Sequence, residues 1–205
     1  MNPQHKLLTI DGGGIRGVLA LGMSVEEIMS FYQNVGPKMF DNRWYMKLKA
    51  ALSQQSAYDA TPLANALKEV FGEKTTLEPG QLKTLFLAVT RNQTTDSPWP
   101  ISSNPAAKYN DPKRPDSNLK IPLWQIVRAS TAAPLAFRPE RINWHANDPS
   151  KSFIFVDGGV TPYNNPAWLL YRMATEERLG FCVELFPRDL LARPTDAAIR
   201  DAREP

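Results

Sequence analysis

Apolar positions along this chain come in short runs separated by turn residues, and two periods alternate. Leu7, Leu8 and Ile10 close on a cluster of glycines, and Val18, Leu19, Ala20 and Leu21 resume after it, the pattern of buried strand, tight turn and helix start. Residues 24–35 read as an amphipathic helix with Val25, Ile28, Met29, Phe31 and Tyr32 on and around one face, stopped by Gly36-Pro37. A second helix begins at Thr61 as cap with Pro62 in its first turn; Leu63, Leu67, Val70 and Phe71 form its stripe and Gly72 ends it. Residues 84–90 are a continuous apolar run, the mark of a central strand buried on both faces. Residues 92–118, dense in Pro, Asn, Asp and Ser, read as one long loop. Pro122 opens a helix carrying Leu123, Ile126 and Val127, and Pro134 closes it. Residues 152–156 form another strand-like run, and residues 167–178 a last helix with Leu169, Leu170 and Met173 as its apolar set. Alternation of strands and helices predicts an α/β three-layer domain with a largely parallel central sheet.

Composition narrows the class without naming a chemistry. At 205 residues the chain is one domain or slightly more, and 42% apolar with 22% charged content suits a soluble globular protein. Its net charge of +3 is mild: it favours an anionic membrane surface weakly, and no basic cluster argues for nucleic acid. The single Cys182 excludes an internal disulfide and a cysteine-rich metal site. No signal-peptide stretch precedes the first strand and no run reaches transmembrane length, so the expectation is a cytoplasmic protein, with export independent of a signal peptide left open. Residues 39–52, rich in Phe, Trp, Tyr and Lys, suit a half-buried helix or a lipid-facing lip.

The chemistry concentrates at the glycine cluster Asp11-Gly12-Gly13-Gly14-Ile15-Arg16-Gly17. Glycines allow close approach to the main chain, and successive N–H groups entering a helix favour negative charge. Such a loop can hold a phosphate or the oxyanion of an acyl-transfer intermediate. Its Gly-x-Gly-x-x-Gly spacing also fits a dinucleotide fold, although no second strand ending in an acid follows about 20 residues on. A plain structural turn fits as well. Arg16 suits an anionic head group or a local ion pair.

A second stretch discriminates among these. The run ending at Val156 leads into Asp157-Gly158-Gly159 and, after four residues, Asn164-Asn165-Pro166. The pairing of Asp-Gly-Gly-Gly-x-Arg-Gly with Phe-Val-Asp-Gly-Gly-x-x-x-x-Asn-Asn-Pro, together with Arg128-Ala129-Ser130-Thr131-Ala132-Ala133-Pro134 between them, resembles the patatin-like phospholipases over roughly the first 180 residues. The resemblance implies a domain over residues 1–180 and a divergent, fraying tail over 181–205. It implies a lipid acyl hydrolase working through a Ser–Asp dyad, with lipid or phospholipid esters as substrates and neither metal nor cofactor. Gly12, Gly13, Gly14, Arg16 and Gly17 would form the oxyanion hole, Asp157 would be the base, and Asp11, Gly158, Gly159 and Asn165 would support the two motifs. Oligomeric state is left open. Asp-Gly is in itself a turn signal, which gives Asp157 a structural explanation beside the catalytic one.

One element of that family is missing. No Gly-x-Ser-x-Gly nucleophile elbow occurs anywhere in the chain, and the residues after Leu21 resemble the segment that normally follows the nucleophile helix. An internal deletion of about 45–55 residues after residue 20, sized for one helix, one strand and half of another helix, accounts for this. Ser24 stands in a capping box with Glu27, and Ser130 lies at helical spacing without the glycines an elbow requires, so it reads as a helix-end residue near the site. His145 and His5 complete no triad, since no serine and acid pair with either. The sequence therefore predicts the remains of an acyl hydrolase with little or no activity, or a lipid- or partner-binding remnant; a nucleotide-binding module built on the glycine loop is the third reading.

Overall fold

The computed structural model describes residues 25–39, 56–82, 85–105, 107–145 and 148–175. In chain order these form helix α1 (Val25–Met39), helix α2 (Thr61–Phe71), strands β1 (Leu87–Asn92) and β2 (Ser97–Ser102), helix α3 (Leu123–Ser130), strands β3 (Glu140–Asn143) and β4 (Ser152–Asp157), and helix α4 (Ala167–Thr175). One-turn 3-10 segments occupy Asn118–Lys120, Pro149–Lys151 and Gly158–Val160.

The sheet has the order β2-β1-β4-β3, and each described pair of neighbours is antiparallel. The class is α/β as expected, but the largely parallel sheet is not what these strands form. The cause is connection length: β1 turns directly into β2, and β3 reaches β4 through residues 144–151, too few for the crossover that parallel neighbours need. β1 lies inside the sheet with Val89 and Thr90, on opposite faces, both buried, as its apolar run predicts.

β2 corrects the single long loop expected over residues 92–118. Pro98 and Pro100 obscured it in the sequence. Both face residues of β1, Arg91 and Val89, from an edge strand, where a missing N–H can point away from the partner. Asn92 Oδ1 accepts the N–H groups of Thr94 at 2.8 Å and Thr95 at 3.1 Å, which folds the turn between the two strands. β3 was hidden for another reason: within Glu-Arg-Ile-Asn only Ile142 is apolar, and it alone is buried.

The helices follow their stripes with small shifts. α1 continues through Gly36-Pro37 to Met39, because a proline in the last turn removes a single hydrogen bond. Phe31 is buried while Met29 is exposed; the side chains of Val25 and Ile28, and the capping box at Ser24, lie outside the described residues. In α2 the capping oxygen belongs to Asp59 rather than Thr61: Asp59 Oδ1 accepts from the Thr61 N–H at 2.9 Å and hydroxyl at 2.8 Å. Leu63 and Leu67 are fully buried, and Gly72 ends the helix at φ +83°.

The core lies between α2, α3 and one face of the sheet, joining Leu63, Leu67, Leu123, Ile126 and Val127 to Ile101, Ile142 and Phe155. Across that face Trp99, Trp144, Phe153 and Phe155 form an aromatic cluster, with Trp99 5.2 Å, 5.1 Å and 5.6 Å from the other three rings. Edge-to-face and tilted contacts of this kind add to the burial itself. Residues 40–55 and the tail beyond 175, with the expectations attached to them, lie outside the described residues.

Candidate functional site

Asp157 is the last residue of β4 and is 2% exposed. Its backbone N–H donates to the Ala132 carbonyl at 3.0 Å, which joins the strand end to the segment just after α3. Its carboxylate Oδ1 accepts the Gly159 N–H at 2.6 Å, so the side chain caps the one-turn helix Gly158–Val160. The turn is closed from its far side by Thr161, whose N–H and hydroxyl both donate to the Gly158 carbonyl, at 3.0 Å and 2.7 Å.

Glycine at position 158 is dictated by space. A Cβ there would sit 2.0 Å from the Val89 carbonyl oxygen and 2.7 Å from its carbon, closer than any real contact. The same Val89 oxygen accepts the Ser130 hydroxyl at 2.8 Å. Three elements thus meet on one backbone carbonyl: β1 supplies it, α3 reaches it through its last side chain, and the Asp-Gly-Gly turn packs over it. Ser130 is a helix-end residue against this junction, and its proton is already engaged.

Arg128, one turn before Ala132, is 1% exposed. Its Nη2 donates to the Arg138 carbonyl at 2.8 Å, and its guanidinium lies 5.6 Å from the centre of the Phe137 ring. Burial pushes its pKa down while the charge of Glu140 pulls it back up. The buried cation fastens the loop over residues 133–138, and with it the Ala132 carbonyl that holds Asp157. On the other side, Asn165 Oδ1 accepts the Ala167 N–H at 2.9 Å and starts α4.

Of the residues singled out in the sequence, Asp157, Gly158, Gly159 and Asn165 are brought into one continuous turn-and-cap arrangement with Ser130 beside it. Asp11, Gly12, Gly13, Gly14, Arg16 and Gly17 lie outside the described residues. Sequence reasoning missed the two carbonyls, Val89 and Ala132, and the closing role of Thr161. Backbone acceptors leave no trace in residue type; only Thr161, a hydroxyl three residues beyond a glycine, carried a local signal. His145 lies in the connection between β3 and β4, where its carbonyl accepts the Asp148 N–H at 3.2 Å. Among the described residues no cluster of three His, Cys, Asp or Glu side chains could hold a metal ion, and no helix is long and apolar enough to cross a membrane.

Comparison with known proteins adds an independent line. A family model described as patatin-like phospholipase matches residues 12–171, a span that takes in Gly12 to Gly17 and the Asp157 turn. The chain is 27% identical over 161 residues to an intracellular phospholipase A2 of Caenorhabditis elegans, an alignment covering 78% of this chain and 12% of that protein. It is 28% identical over 166 residues to a cGAMP-activated phospholipase of Escherichia coli (strain TW11681), covering 78% of this chain and 42% of that one. The chain therefore spans less than half the length of either relative.

Proposed function

The chain belongs to the patatin-like phospholipase family, and from that premise we propose that it is a lipid acyl hydrolase by descent in which ester cleavage is lost or nearly lost. The working form of such a site divides the chemistry among three parts. A serine oxygen attacks the ester carbonyl, an aspartate takes the serine proton, and main-chain N–H groups hold the oxyanion that forms. Asp157 is the base in this reading, and Gly12, Gly13, Gly14, Arg16 and Gly17 are the oxyanion cradle, with Asp11, Gly158, Gly159 and Asn165 supporting their turns. The domain runs over residues 1–180 and residues 181–205 are a divergent tail. Lipid or phospholipid esters are the substrates to which the lineage is adapted, and the reading includes a cytoplasmic location, in keeping with the worm relative's being an intracellular phospholipase A2.

The observation that carries the proposal is a mismatch. The acid is buried and held from both its backbone and its carboxylate, yet the chain contains no Gly-x-Ser-x-Gly on which a nucleophile would stand. Ser130 does not replace it, because its hydroxyl donates to Val89. Removing the serine of a serine hydrolase leaves roughly 10³–10⁴-fold acceleration over water at best, supplied by binding and oxyanion contacts.

The test is hydrolysis of short-chain nitrophenyl esters and of a fluorogenic phospholipid by the purified chain, beside Asp157→Asn. Turnover at the buffer rate for both proteins is expected. Robust turnover that disappears in Asp157→Asn would overturn the proposal.

A further inference from the structure

The stretch between β2 and α3 is pinned rather than loose. Asn110 is fully buried, and its Nδ2 donates to the carbonyls of Ser102 at 2.8 Å and Asn104 at 2.5 Å. The Asn118 N–H returns to the Tyr109 carbonyl at 2.9 Å, and Ser117 and Leu119 are buried beneath. This base holds out a cationic rim. Residues 108–120 contain four cations and two carboxylates, which accounts for +2 of the chain's +3.

The two acids neutralise the rim only in part, at Arg114. Asp116 is engaged by Arg114 at 2.9 Å and by Lys151 at 3.7 Å, and the Arg114 contact holds its carboxyl down to about 2. Asp111 Oδ1 accepts the Lys113 backbone N–H at 2.9 Å. Lys108, Lys113 and Lys120 form no ion pair among the described residues. In their midst stands Tyr109, 51% exposed, with Lys108 Nζ 5.1 Å and the Arg114 guanidinium 6.0 Å from its ring centre.

We propose that the Tyr109 loop is a docking surface for an anionic lipid bilayer. Three features select that partner. The cations spread over an exposed loop instead of converging on a pocket, which suits an extended charged plane rather than one small anion. An amphipathic tyrosine among lysines is the pairing that settles at the level of lipid head groups. A ring already engaged by two cations is a poor platform for a stacked base, which disfavours single-stranded nucleic acid. Because the loop is anchored, docking loses little conformational entropy. The inference rests on the lipid lineage proposed above, but not on whether the site turns over.

The 205-residue chain is sedimented with vesicles of phosphatidylcholine alone and with vesicles that also contain phosphatidylserine. Binding is expected only to the second, weakening as salt is raised. Each lysine near an anionic leaflet is worth about fivefold in partition, so Lys108→Gln with Lys113→Gln should weaken binding by about 25-fold. The control pair Lys74→Gln with Arg141→Gln removes the same charge at other exposed positions and should change it by less than about threefold. Circular dichroism establishes that all variants are folded. Indifference to phosphatidylserine, an equal loss in the control pair, or tighter binding to a single-stranded RNA than to vesicles would each overturn the proposal. The ester assay on the same preparations separates the two readings: turnover sinks the lost-catalyst proposal and leaves docking standing, whereas silent chemistry without vesicle binding sinks docking alone.

Discussion

At the scale of single residues, the Val89 carbonyl decides what its neighbours can be. The Gly158 backbone lies so near it that a methyl group would stand 2.0 Å from the oxygen. Since the obstacle is main chain in an interior strand, it cannot swing aside as a side-chain tip would. Gly158→Ala is therefore expected to cost at least about 3 kcal/mol, the upper part of the overpacking range. Ser130→Ala removes one hydrogen bond to the same oxygen and is expected to cost about 1 kcal/mol. Urea denaturation of the two variants checks the order; equal costs would mean that the junction yields. The Asp-Gly-Gly turn was legible in the sequence, but its cause was not. Turn statistics suggest a glycine chosen for its backbone angles, whereas Gly158 is needed for room against Val89, a strand residue 69 positions earlier in the numbering.

At the scale of elements, helices were far more legible than strands. The stripes of α2 and α3 each needed only their own residues to be read, and Leu63, Leu67, Leu123, Ile126 and Val127 are all buried. β2 and β3 take their identity from neighbours. Two prolines and one isolated isoleucine become strand only because β1 and β4 offer them partners. Helix starts show a subtler error, a shift of two residues in α2 from Thr61 to Asp59 as capping side chain. The two hydrogen bonds from Thr61, backbone first, hold the Asp59 carboxyl below its ordinary range, aided by the charge of Arg138 against a small opposing burial. Asp59→Ala is expected to destabilise the fold by about 0.5–1 kcal/mol, the lower part of the capping range, since the group is exposed and partly screened. With its folded pKa depressed, Asp59 contributes fully above its unfolded value, roughly pH 4, and that contribution is lost as pH falls through the folded pKa. Thermal melts of both proteins should therefore differ at neutral pH and converge in acid. A gap that widens on acidification would contradict this account.

At the scale of the whole molecule, the direction of the strands was the least legible property. Alternating helices and strands favour parallel neighbours as a rule, but the rule presumes a crossover between each pair. Here the two shortest connections settle the matter locally, and β4 then lies antiparallel to β1 across a separation of nearly sixty residues. Asp157 could be located from its motif, whereas the carbonyls that hold its turn, Val89 and Ala132, became apparent only once distant strands were side by side. The aromatic cluster joins those strands into one body, since Trp99 comes from β2, Trp144 from the position just after β3, and Phe153 and Phe155 from β4. Trp99→Ala is expected to cost about 3 kcal/mol, the low end for a large aromatic because this ring is only half-buried. Near-UV circular dichroism, which reports fixed aromatic surroundings, should lose intensity from the remaining rings; an unchanged spectrum would show that the cluster is not coupled.

The prolines of β2 have an effect beyond their own strand. Along the β2 edge of the described sheet, two of the positions that would offer N–H groups to a newcomer are Pro98 and Pro100, and neither has one to give. A copy of this chain, or a stray extended peptide, arriving at that border meets two alternate positions with carbonyls and no donors. The border is a poor template for further strands, which works against the assembly of sheets from chain to chain that leads to fibres.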